Sequence, residues 1–156
     1  MSYRVVQPSE VACAIDPDNS EPVLAEVLSP LSRAIELRIP VTTMLQETPD
    51  RGQEELEKLS AAARQDIETA ILAGADGIYY RLRGAEPGYT TPMEYGGFFL
   101  ELDRELLTSL AADKQIVICV EGGDEVYVDA LSDLPGRIVL NGNGSANCPE
   151  SMEVSA

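Results

Sequence analysis

Apolar positions recur along this chain with two periods, one helical and one extended. The clearest helical stretch carries Leu56, Leu59, Ala63, Ile67, Ala70 and Ile71 at spacings of three and four, which puts them in one stripe on one helix face. Thr48 is placed to cap its start, Pro49 suits the first helical position, and Gly74 suits the left-handed residue that ends it. Glu54 and Lys58 add a favourable i,i+4 pair, and Gly52 is the weak point near the start. A second helix is predicted from about Phe98 to Ala112, with Phe99, Leu102, Leu106 and Leu110 on one face. Gly77–Leu82 and Arg137–Asn141 read as strands, and Ile116–Val120 is a continuous apolar run, the mark of a strand buried on both faces. A short helix from about Glu125 to Leu134 fits between the last two, stopped by Pro135-Gly136. Nearer the N-terminus, Arg4–Gln7 and Val11–Ile15 are short apolar runs that suit strands. A turn-rich loop, Asp16–Pro22, follows them. Val23–Leu28 is then either a strand or the start of a helix running to Leu37.

Alternating helices and strands with short links define an α/β protein built of parallel βα units, with four to five strands. Residues 1–141 form the single domain and 142–156 a polar C-terminal tail. The length, 156 residues, fits one domain and falls short of the roughly 200–250 residues of a complete (β/α)8 barrel. Lys and Arg number 11 against 27 Asp and Glu, a formal charge of −16. So acidic a chain is a poor partner for nucleic acid and for an anionic membrane surface; the plain role of the excess acid is solubility. No apolar run approaches the roughly 18 residues of a spanning helix, and the N-terminus lacks the features of a signal peptide. Three cysteines, Cys13, Cys119 and Cys148, without a CxxC spacing suit reduced thiols in a cytoplasmic protein. Histidine is absent, which removes Ser-His-Asp and Cys-His mechanisms from this chain.

Four stretches carry a resemblance. Ala73-Gly-Ala-Asp-Gly-Ile-Tyr79 after a long helix resembles the "aGaD.i" strand of the uroporphyrinogen decarboxylase family and its relatives, the cobalamin-related methyltransferases. Leu28-Ser-Pro-Leu-Ser32 is similar to the family's "gPlT" turn, Phe98-Phe-Leu-Glu-Leu102 sits where the family has "f..PY", and Val117-Ile-Cys-Val-Glu-Gly122 where it has "H.CG". The order is kept over roughly residues 23–141. The resemblance implies about half of a (β/α)8 barrel, carboxy-lyase or methyl-transfer chemistry, and substrates bearing carboxylates. The chain departs from the family at its working positions. Glu36 stands where the decarboxylases have a tyrosine, Arg83 where they have a serine, and Cys119 and Glu121 where the methyltransferases have zinc-binding His and Cys. The family's arginine-rich loops belong to a part of the barrel that this length does not hold.

The residues themselves offer two chemistries. Tyr79, Arg81 and Arg83 share one face of their strand, and two arginines there suit an anion clamp, since the guanidinium fork matches a carboxylate. They suit equally a pairing with the chain's own acids. Cys119 and Glu121 share a face at the C-terminal end of their strand, where βα folds place their sites, and both are acceptable zinc ligands; equally, they are a buried structural cysteine beside a loop acid. Gly142-Asn-Gly144 could cradle a phosphate or be plain tail, and Gly122-Gly123 reads as a tight turn. The candidate ligand residues are therefore Tyr79, Arg81, Arg83 and Glu121, with Cys119 and Glu121 as the candidate metal pair. Half a barrel would also leave two open edges and an apolar inner face, which predicts a homodimer. Two functions stay open: a cut-down relative of the family that binds a small anionic or tetrapyrrole-like ligand with weak or no catalysis, and a non-catalytic subunit that self-associates or joins a larger assembly.

Overall fold

Sheet order and sequence order coincide. The computed structural model describes residues 3–15, 21–110, 114–121, 126–132, 134–141 and 152–154. Five strands lie side by side in chain order and all parallel: β1 (Arg4–Val6), β2 (Val23–Leu28), β3 (Gly77–Leu82), β4 (Gln115–Glu121) and β5 (Arg137–Asn141). A sixth, β6 (Met152–Val154), pairs antiparallel on β5. The expected α/β class and parallel βα units are thus present, and Val23–Leu28 is resolved as a strand.

Right-handed crossovers between sequential neighbours put every connecting helix on the same face of the sheet. The packing agrees. Ala25, Val27, Ile78, Tyr80, Leu82, Ile118, Val120 and Ile138 point to the helical side and join one core with the helices. Leu24, Tyr79, Val117, Cys119 and Val139 point the other way and form a second, smaller cluster with Tyr3 and Val5. All five of its strand residues are at most 3% exposed, so this inner face is buried within the single chain.

The helices are α1 (Val11–Ala14), α2 (Pro30–Leu37), α3 (Val41–Glu47), the long α4 (Pro49–Leu72), a continuous helical segment of α5 (Pro92–Glu94), a wide π-type turn (Tyr95–Phe99) and α6 (Leu100–Thr108), and α7 (Val128–Leu131). The predicted stripe of α4 is buried at Leu56, Leu59, Ala63, Ile67 and Ala70 and packs on the sheet, and Gly74 takes φ +101° as a helix-ending glycine should.

Four local expectations change. Val11–Ile15 is not a strand: a turn at Pro8–Glu10, with Gln7 N–H donating to Glu10 Oε1, leads it into α1, and only Val11 is buried. Thr48 does not cap α4; its hydroxyl donates back to the Met44 carbonyl of α3 at 3.3 Å. Lys58 pairs with Glu55 at 3.7 Å, not with Glu54. The second helix starts earlier and ends sooner than Phe98 to Ala112, because Thr91 caps it at Pro92 and the last helical residue is Thr108. Gly122-Gly123 and Gly142-Asn-Gly144 lie outside the described residues.

Candidate functional site

The C-terminal ends of parallel strands are where βα folds hold ligands. In this chain a charged quartet lies on the inner face at and just below those ends: Glu26 in the middle of β2, Arg81 of β3, Glu121 of β4, and Arg83 just past β3. Arg81 Nη2 donates to Glu121 Oε1 at 2.5 Å, and Nη1 donates to Glu26 Oε1 at 3.2 Å. Arg83 Nε stands 3.9 Å from Glu121 Oε2, an ion pair without a hydrogen bond. The quartet is electrically balanced, two cations against two anions.

Burial grades across it. The Glu121 side chain is 4% exposed, Arg81 17%, Glu26 19% and Arg83 33%. Burial works against the Arg81 charge, but its bonds to Glu121 and then the field of both carboxylates outweigh that and hold the guanidinium above its ordinary pKa. Arg81 is therefore a fixed internal cation. Within the quartet two polar atoms are left over: Arg81 Nε donates no hydrogen bond and Glu121 Oε2 accepts none, though both are shut off from solvent.

A serine turn sets this end of β3. Ser29 N–H donates to the Arg81 carbonyl at 3.0 Å. Ser32 Oγ donates to the same carbonyl at 2.9 Å and accepts from Arg83 N–H at 2.8 Å. With its proton so used, Ser32 Oγ accepts from Ser29 Oγ at 2.7 Å, while Ser29 Oγ accepts from Ser32 N–H at 3.1 Å and caps α2. The backbone on either side of Leu82 is thus bolted to the start of α2. Asp76, at the opposite end of β3, accepts from Val23 N–H at 2.8 Å and aligns β2 with β3, which is a structural role.

Of the residues singled out in the sequence, Arg81, Arg83 and Glu121 come together. Tyr79 shares their face but sits one layer deeper, fully buried against Tyr3 with ring centroids 6.1 Å apart. Cys119 lies opposite Arg81 in the ladder, 1% exposed, and is disulfide-bonded. The expectation of reduced thiols throughout is corrected there; Cys13 is free and exposed. A sulfur in a disulfide is not a thiolate, so a zinc site at Cys119 and Glu121 would first need that bond reduced. Among the described residues no cluster of three or more His, Cys, Asp or Glu is placed to hold a metal ion, and no helix is long and apolar enough to cross a membrane. Glu26 was missed in the sequence. Its signal is an acid at the centre of the apolar strand Val23–Leu28, on the face that alternation shares with Leu24.

No protein-family model matches the sequence, and no curated protein matches it.

Proposed function

We propose that this chain binds a small carboxylate-bearing ligand at the C-terminal ends of β3 and β4 and does little or no chemistry on it. The observation that carries the reading is Arg83. Its guanidinium is one-third exposed, and its nearest acid among the described residues is 3.9 Å away and already engaged with Arg81. Arg81 is committed to Glu26 and Glu121, so Arg83 is the cation with donors to offer, and the bolted backbone presents it at a fixed place. The likeness to the uroporphyrinogen decarboxylases is part of this proposal. It supports a carboxylate ligand, while Glu36, Arg83, Cys119 and Glu121 at the family's working positions argue against the family's catalysis.

Calorimetric titration with a tetracarboxylate porphyrin and, separately, with succinate tests the reading. Binding that Arg83→Gln weakens by about tenfold or more, the loss of a charge-assisted hydrogen bond, is the expected result. No heat of binding at millimolar ligand would end it.

A further inference from the structure

Two acids among the described residues are buried, and they differ in one respect. Asp103 of α6, 1% exposed, has both oxygens filled: Tyr80 of β3 donates its hydroxyl to Oδ1 at 2.5 Å, and Tyr95 of the π-type turn donates to Oδ2 at 2.7 Å. It is a closed contact between the sheet and the helical segment, with nothing left to offer a ligand. Glu121, 4% exposed, uses only Oε1, which accepts from Arg81. Its Oε2 accepts no hydrogen bond, and a carboxylate oxygen shut off from solvent without a donor is costly. Arg83 Nε stands 3.9 Å from that oxygen, an ion pair too long for a hydrogen bond. A guanidinium with donors to offer and an acceptor that lacks one therefore lie side by side.

We infer that the ligand of this site is an α-amino acid in its zwitterionic form, with its carboxylate on Arg83 and its ammonium group on Glu121 Oε2. The inference rests on the carboxylate reading above and sharpens it. Two independent features carry it. One is the open oxygen of Glu121. A carboxylate brings acceptors only and cannot serve it, whereas an ammonium group brings three donors. In an α-amino acid a single carbon joins the two groups to one another, which suits partners as close as 3.9 Å. The other feature is charge. The quartet is already balanced, two guanidinium groups against two carboxylates. A bare carboxylate would leave it with an excess negative charge, in a partly closed place on a chain of formal charge −16. A zwitterion adds no net charge and leaves every ion paired. A hydroxyl could also donate to Oε2, but it would not offset the charge of the carboxylate beside it. Arg83 supplies the way in. Its side chain reaches the surface while that of Glu121 does not, and turning it outward to meet a carboxylate would uncover the oxygen beside it. Its backbone N–H, held by Ser32 Oγ, keeps the pivot in place.

Calorimetric titration of the full chain with succinate, malate and L-aspartate tests the inference. The three share one carbon skeleton and its two carboxylates, and differ at one carbon, which bears hydrogen, hydroxyl or ammonium. Aspartate should bind about tenfold or more tighter than succinate, the gain of a charge-assisted hydrogen bond, with malate between them. Arg83→Gln should weaken all three alike. Glu121→Gln should remove most of the advantage of aspartate and leave succinate no weaker. The wild-type order needs no variant, so it decides even where Glu121→Gln does not fold. Succinate as tight as aspartate, or tighter, would overturn the zwitterion while the carboxylate reading stands. Malate tighter than aspartate would overturn it too, in favour of a neutral donor. Binding of none of the three at millimolar ligand would remove both readings together.

Discussion

Ser32 concentrates several functions in one hydroxyl. It bonds the Ser29 hydroxyl that caps α2, supports the end of β3 through the Arg81 carbonyl, and fixes the Arg83 amide. Ser32→Ala would leave the partly buried Arg83 N–H without a partner and strip the Arg81 carbonyl of one of its two donors. The expected cost is about 2–3 kcal/mol, read by urea unfolding, together with weaker ligand binding because Arg83 loses its fixed placement. Three of the quartet's four residues were legible in advance. Period-two alternation puts Arg81 with Arg83 on one face of their strand and Glu121 with Cys119 on one face of theirs, without any knowledge of the fold. It cannot say that β2 lies next to β3, and without that neighbour Glu26 has no visible partner. Tyr79 illustrates the opposite error: alternation places it on the correct face, but depth within the sheet, which decides whether a ligand can reach it, has no signature in spacing. Asp103 was missed in the sequence, although a signal for it exists. It lies four residues after Phe99, on the face that the apolar stripe of Phe99 and Leu106 defines, and a charged residue there needs a reason.

At the scale of elements, Gly52 marks the closest approach of two helices. A Cβ there would lie 2.6 Å from the Leu45 backbone nitrogen, so α3 and α4 cross nearly backbone to backbone. Helix propensity favours alanine over glycine by about 1 kcal/mol, yet Gly52→Ala should destabilise by about 1–3 kcal/mol, because the crossing must open. A more stable variant in thermal or urea unfolding would show the contact to be slack. In the sequence this glycine reads as a flaw in α4, since α3 itself is hard to see. Val41, Thr42 and Thr43 are β-branched and poor helix formers, and only Val41 and Leu45 face inward. The long helix and strands β3 to β5 were legible because each carries enough repeats of its own period, while α1 and α3 are held by neighbours rather than by their own pattern.

For the molecule as a whole, the expectation of a dimer rested on two open strand edges and an apolar inner face. That face is buried within one chain, and the sheet ends on either side in strands of three residues, too short to offer a long pairing edge. Light scattering should therefore return a mass near 16.8 kDa, and a value near twice that would mean copies pair through those edges. The formal charge of −16 works in the same direction, by repulsion between copies at low salt.

The coincidence of sheet order with chain order has a bearing on how the molecule is born. A strand leaving the ribosome finds its only parallel partner already made, immediately upstream, so the sheet can lengthen one unit at a time at its newest border. No early segment waits for a distant one, which spares the nascent chain the long closures that slow other parallel sheets. The antiparallel β6 breaks that pattern: it pairs with β5 from the opposite direction and offers no continuing parallel track.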